Sequence, residues 1–208
     1  MVKVTGPMMS MGASGTLGNI ATFSKWKGRP YVRSRVVPAN PKSALQVSVR
    51  AMMKFLSQEW AGIGAVPQAT WDERAAAGQY SPFNAFVGYN AGRWREFQAP
   101  GQNDPAAETG TPAVLTLDSA TGGPSYIDLA FTVTTLNDIW GLAIFRSPTG
   151  TFATSRANCI AVIPVTGTGA LVYTDSGLAA GTYYYDARAF STEGLLDAEE
   201  GEVNGTAT

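Results

Sequence analysis

A mixed α+β module followed by an all-β sandwich is the architecture this 208-residue sequence predicts. Three observations point there. Apolar residues recur at helical spacing between about residues 45 and 97, the period changes to two from about residue 113, and charge divides along the same line. Residues 1–104 hold 12 Lys+Arg and 5 Asp+Glu, a net of +7, whereas residues 105–208 hold 3 and 11, a net of −8. Hydrophobic residues make up 45% and charged residues 15%, which is the composition of a folded chain. The stretch 99–112, rich in Pro, Gly, Asn and Thr without periodicity, reads as a flexible linker between domains 1–98 and 113–208.

Composition also excludes much chemistry. There is no histidine, so Ser-His-Asp and Cys-His nucleophile systems and His-ligated metal sites are absent. A single cysteine, Cys159, cannot form an internal disulfide or a multi-cysteine metal site, and it reads as a small apolar strand residue. The first residues are broken by Gly6, Pro7, Ser10 and Gly12 and make a poor signal peptide. No window approaches the roughly 20 apolar residues that span a bilayer. The expectation is a non-enzymatic protein with no cofactor, no metal and no membrane contact.

In the first half, Ile20–Lys27 and Tyr31–Val37 are short runs of β-branched and aromatic residues around Gly28-Arg29-Pro30, which predicts a β-hairpin. Two-residue alternation puts Arg33 and Arg35 on one face and Val32, Ser34 and Val36 on the other. Lys25 and Lys27 form a matching pair on the first strand, so one surface of the ribbon is expected to be strongly positive. Asn40 and Pro41 open a helix by N-cap and first-turn preference, carried on by Leu45, Val49, Met52, Met53, Leu56 and Trp60. Thr70-Trp71-Asp72-Glu73 matches a capping box that opens a second helix. Ser81-Pro82 opens a third, with Phe83, Phe86, Val87, Asn90, Trp94 and Phe97 along one side. The aromatics of this half read mainly as core; Phe23, Trp26 and Tyr31 stacking on bases is the alternative.

Strands are predicted at 114–117, 126–133, 140–146, 158–163, 170–174 and 183–190, with a weak one near 202–205. About seven short strands punctuated by turn residues point to an immunoglobulin-like β-sandwich. Leu178-Ala-Ala-Gly-Thr-Tyr-Tyr-Tyr-Asp-Ala-Arg-Ala-Phe190 resembles the corner and following strand of fibronectin type III domains. Tyr184 and Tyr183 compete as the corner tyrosine. Tyr183 is preferred, because Tyr185, Ala187 and Ala189 then face inward and Asp186 and Arg188 outward. Trp140–Ser147 resembles that family's third strand and Tyr173–Gly177 its fifth, while Phe131 stands where the second strand usually carries tryptophan.

The sequence Gly15-Thr-Leu-Gly-Asn-Ile-Ala-Thr-Phe-Ser-Lys-Trp-Lys-Gly-Arg-Pro-Tyr-Val-Arg-Ser-Arg-Val36, with Pro38-Ala-Asn-Pro-Lys-Ser43, Gln46, Arg50, Trp71, Ser81–Val87 and Asn90, is similar to the opening of small tailed-phage and prophage virion proteins. That resemblance covers about residues 10–97. It implies a virion structural protein, made in the host cytoplasm and incorporated at head or tail, whose partners are capsid, portal or tail subunits and further copies of itself. Lys25, Lys27, Arg29, Arg33 and Arg35 are the expected docking residues. Nucleic-acid binding by the same face, and glycan or host-surface binding by the sandwich loops around Phe152, are the alternatives. Gly12–Gly18 reads as a loop or arm lying on a neighbouring subunit rather than a phosphate cradle. Asp197, Glu199, Glu200 and Glu202 read as a solvated edge rather than a calcium site.

Overall fold

The computed structural model describes residues 2–3, 14–18, 20–37, 39–110, 112 and 115–208. It divides into two compact units, residues 1–41 and 42–208.

The first unit is a four-stranded antiparallel sheet of β1 (Val2–Lys3), β2 (Gly15–Leu17), β3 (Ala21–Trp26) and β4 (Arg29–Ser34), in the order β1-β4-β3-β2. The predicted hairpin is β3–β4, but its turn is Lys27-Gly28 rather than Gly28-Arg29-Pro30. Both turn residues have positive φ, 47° and 77°, which is how a two-residue loop follows the twist of its strands. Trp26 and Arg29 flank that turn as a hydrogen-bonded pair. The next pair, Lys25 and Pro30, is then non-hydrogen-bonded, and the missing Pro30 N–H costs β3 nothing. Gly15–Leu17 of the glycine-rich segment is the edge strand β2; Gly12 and Ala13 lie outside the described residues.

Among its described residues the second unit holds four helices and seven strands. The helices are α1 (Ala44–Glu59), α2 (Ala65–Ala69), α3 (Asp72–Gly78) and α4 (Pro82–Arg95). Helix α1 begins after Ser43, later than the Asn40-Pro41 signal. The Thr70–Glu73 capping box does not form. Thr70 Oγ1 instead donates to Pro67 O at 2.7 Å and accepts from Asp104 N at 3.0 Å, and Trp71 precedes α3. At α4 the sequence signal holds, with Ser81 Oγ accepting from Asn84 N at 3.2 Å and Pro82 as first residue.

Strands β5 (Leu115–Gly123), β6 (Tyr126–Val133) and β9 (Gly169–Ser176) form one sheet. Strands β7 (Ile139–Ser147), β8 (Cys159–Pro164), β10 (Gly181–Ser191) and β11 (Val203–Ala207) form the other, in the order β11-β10-β7-β8. Two antiparallel sheets with this strand order make an immunoglobulin-like sandwich. All seven predicted strands are present. Leu115, Ile127, Leu129, Phe131, Leu142, Ile144, Tyr185, Ala187 and Ala189 fill the space between the sheets. Tyr183 is the corner residue: its hydroxyl donates to Ala179 O at 3.1 Å, and the inward set two residues apart follows from it.

The predicted domain boundary is corrected. Helices α1 and α4 lie on the outer face of the β7-containing sheet, and one apolar cluster joins them to it through Met52, Phe55, Phe86, Trp140, Phe145, Cys159 and Phe190. Phe55 sits edge-on to Trp140 at 4.9 Å and to Phe190 at 5.3 Å between ring centroids. A cluster shared so deeply makes helices and sandwich one body. Within the expected 99–112 linker, residues 99–110 are therefore a pinned strap, not a flexible linker, with Ala99, Pro100 and Gly101 buried. Asn90, fully buried on α4, donates from Nδ2 to Gly101 O (3.0 Å) and accepts at Oδ1 from Gly101 N (2.9 Å). Arg93 donates to Ala99 O (2.7 Å), Gly194 O (3.0 Å) and Glu108 Oε1 (2.8 Å). Trp71 Nε1 donates to Gln102 O at 2.8 Å, and Arg74 grips Asp104 at 2.6 and 2.7 Å. These bonds replace the water that a free linker would keep around its backbone.

Phe55→Ala should lower stability by roughly 3–5 kcal/mol. Calorimetry of residues 42–208 should show one transition for helices and sandwich together. A 113–208 fragment, with Trp140, Phe145 and Phe190 uncovered, should bind hydrophobic dye and melt well below the longer chain; an equally stable, dye-negative fragment would restore the earlier boundary.

Candidate docking face of the N-terminal sheet

Residues 1–41 contain six Lys+Arg and no Asp or Glu, while residues 42–208 contain nine and 16. The structural boundary thus sharpens the charge division to +6 and −7. Within residues 14–37 no described residue is buried, although β3 and β4 are rich in apolar side chains. A sheet normally buries one face against another layer. Here Leu17 is 48% exposed, Phe23, Val32 and Ala21 are half-buried, and Ile20, Trp26, Val36 and Val37 are 65% or more exposed.

Strand register sorts the candidate residues. Opposite partners share a face, and the pairs are Trp26 with Arg29, Ser24 with Tyr31 and Thr22 with Arg33, alternating with Lys25–Pro30, Phe23–Val32 and Ala21–Ser34. One face therefore carries Arg29, Tyr31, Arg33, Trp26, Thr22 and Ser24. Arg35 follows by alternation, its backbone N–H continuing the ladder to Ile20 O at 3.1 Å. The opposite face carries Phe23, Val32, Ala21 and Leu17, with Lys25 among them. The expected single positive surface is corrected accordingly. Arg29, Arg33 and Arg35 share it, Lys25 belongs to the apolar side, and Lys27 sits in the turn with Nζ 5.0 Å from the Trp26 ring centroid. The reason is parity: a two-residue turn after Trp26 pairs odd positions of β3 with even positions of β4. Phe23 falls opposite Trp26 and Tyr31, so the three do not form one stacking platform. Trp26, read from sequence as core, is instead an exposed member of the arginine face.

In the second unit Arg74, Arg93, Arg146 and Arg188 are committed to the fold. Arg146 Nη1 meets Asp175 Oδ2 at 2.7 Å, and the buried Tyr185 hydroxyl donates to the same oxygen at 2.9 Å. Burial, first, and the Asp175 charge raise the Tyr185 hydroxyl pKa. Arg188 Nε donates to Asp197 O at 2.6 Å. Lys25, Lys27, Arg29 and Arg33, by contrast, enter no ion pair among the described residues. Cys159 is buried and its thiol is pushed up to about 12, chiefly by burial, so it is no nucleophile.

The acidic segment keeps Glu199 and Glu202 exposed, as a solvated edge would, while Asp197 and Glu200 are half-buried and its carboxylates also bond to the fold. Glu199 Oε1 accepts from Thr154 N (2.9 Å) and Thr154 Oγ1 (2.6 Å), and those bonds lower its pKa. Glu202 accepts from Phe152 N at 3.3 Å. The segment ties down the 148–156 loop, and Phe152, the aromatic considered for glycan contact, packs partly against the helix–sheet core. Among the described residues no three His, Cys, Asp or Glu side chains converge as a metal site. Among them, too, no helix is long and apolar enough to cross a membrane.

No protein-family model and no curated protein matches the chain. Solved structures overlap about half of it. A β-1,2-glucanase from Parabacteroides distasonis matches with TM-score 0.37 and 20% identity, over 48% of this chain and 13% of that one. An Fn3-like protein from Clostridium thermocellum matches with TM-score 0.36 and 22% identity, over 47% and 96%. The FN1–FN3 domains of chicken CNTN1 match with TM-score 0.30 and 17% identity, over 48% and 35%. The class of the sandwich, immunoglobulin-like, rests on its own strand order and core.

Burial, followed by the charges of Asp197 and Asp186, raises the Glu200 pKa from 4.5 to about 7. The folded state then holds this proton more tightly than the unfolded chain, and stability falls as pH rises from about 4.5 through 7. Glu200→Gln should raise the melting temperature at pH 8 and change it little at pH 4; equal shifts at both pH values would refute this origin.

Proposed function

We propose that this chain is a non-catalytic assembly protein, a structural component of a virion that docks through its N-terminal sheet and presents the helix-backed immunoglobulin-like body. The observation that carries this reading is a four-stranded sheet with no buried residue among those described. Apolar burial is the main source of stability for such a sheet, and about 40 residues cannot supply it alone. A partner surface that covers it would complete the missing layer. Arg29, Arg33 and Arg35 on one face select an acidic partner, and charge-assisted bonds to carboxylates would set the register of docking. Capsid, portal or tail subunits are the partner class that the resemblance of residues 10–97 implies, and the virion reading rests on that resemblance. Fibronectin type III membership of the sandwich is proposed on its Tyr183 corner and strand order.

Nucleic-acid binding is the second reading, favoured by Trp26 and Tyr31 beside Arg29 and Arg33 on a single face. It requires affinity that falls steeply with salt. Filter binding at low salt with no retention of DNA or RNA would remove it.

Arg33→Glu with Arg35→Glu should abolish incorporation into particles and leave the melting of residues 42–208 unchanged. Lys25→Glu, on the opposite face, should reduce incorporation much less. Normal incorporation of the double variant would reject the docking role.

A further inference from the structure

The α1–β8 side of the second unit carries a feature that the docking reading does not use. Strand β8 lies at the edge of its sheet, with β7 as its one neighbour. Beside it run two adjoining hollows, of about 360 and 490 Å³, which share Lys42, Val47 and Ile160. Together they follow the strand from Cys159 to Ile163, a run that would span roughly 17 Å as extended chain. A trough that tracks an edge strand has the shape of another strand.

Its chemistry is two-sided. Val47, Ala51 and Tyr173 give apolar lining, and Lys42, Arg50 and Lys54 stand along the α1 side. Arg50 and Lys54 are one helical turn apart and so share a face. All three cations are exposed, and none enters an ion pair among the described residues. Among the described residues no carboxylate lines either hollow. Strand β8 reads Cys-Ile-Ala-Val-Ile-Pro and has no charged side chain of the kind that protects an exposed edge. Among the described residues, and beyond its pairing with β7, the backbone of Ile160–Ile163 accepts only the weak Cys159 Sγ–H bond at Ala161 O, 3.5 Å.

We infer that this trough receives an extended acidic segment of a partner polypeptide, which adds a strand to β8 and places alternate carboxylates against Lys42, Arg50 and Lys54. Charge complementarity selects the occupant. The N-terminal segment of a second copy, with six cations and no carboxylate in residues 1–41, is repelled by the same three side chains. Main-chain bonds to the free edge supply affinity, and the cations and apolar lining supply selection.

Isothermal titration of the full chain with the peptide acetyl-Thr-Glu-Val-Glu-Val-Glu-Thr-amide tests it. Saturable 1:1 binding is expected, weakened about tenfold or more by Arg50→Glu with Lys54→Glu. The same loss is expected when the peptide valines are N-methylated, which removes strand pairing but keeps the charge. The Lys-for-Glu peptide should not bind. Because Arg33→Glu with Arg35→Glu lies in the other unit, that variant should bind the acidic peptide normally, which separates this site from the docking face. No saturable binding up to about 1 mM, equal binding of the N-methylated peptide, or equal binding of the basic peptide would each overturn the proposal.

Discussion

The aromatic layer between α1, α4 and the sheet is the contact on which the rest of the second unit depends. Phe55, Phe86, Trp140 and Phe190 meet edge-on or tilted, with ring centroids 4.9–6.3 Å apart. An immunoglobulin-like sandwich usually leaves its outer faces to water. In this one the outer face of β7 is apolar, so that every residue from Ile139 to Phe145 is buried. The sheet needs a cover and the helices need a floor. Each meets the other's need, and the two fold as a single core.

That marriage explains the polar arrangement around it. Bringing α4 onto the sheet draws residues 99–110 along the protein, where their backbone groups lose water and must find partners. Asn90 and Arg93 supply them from α4, Thr70 and Trp71 from the preceding segment, and Thr192 and Glu193 from the turn after β10. Arg93 has its guanidinium almost buried, yet all of its reach is used on two carbonyls and Glu108. The acidic C-terminal segment does the same for the 148–156 loop. Most of the unit's arginines and several of its carboxylates are therefore structural, in contrast to Lys25, Lys27, Arg29 and Arg33, which enter no ion pair among the described residues, and to the trio beside β8.

Much of this was legible in the chain. Runs of β-branched and aromatic residues between turn formers located all seven sandwich strands, helped by period-two alternation where only one face lies between the sheets. Ser81-Pro82 located α4 because its cap is made within four residues. Thr70–Glu73 misled because Thr70 found a better partner in Asp104 N, a bond across more than 30 residues that no local pattern announces. The interdomain boundary was misread because Gly, Pro and Asn mark turns whether the turn is free or pinned. One signal was available: Ile139–Phe145 lacks alternation, which is the mark of a strand covered on both faces. On the N-terminal sheet, sequence placed Arg33 and Arg35 on one face, as the register does, and a turn one residue shorter than expected moved Lys25 to the other side.

Sequence by itself located three of the four described helices, the β3–β4 hairpin and the seven sandwich strands, and it determined the sandwich class, the absence of histidine chemistry and the concentration of positive charge at the N-terminal end. These are local or compositional properties, set by periodicity and counting. Tertiary structure decided that the helices belong to the sandwich, that the apparent linker is a strap, which cations share a face, and that β8 is left as an open edge. Those depend on which distant surfaces meet, and a burial or a register is defined only once both partners are in place.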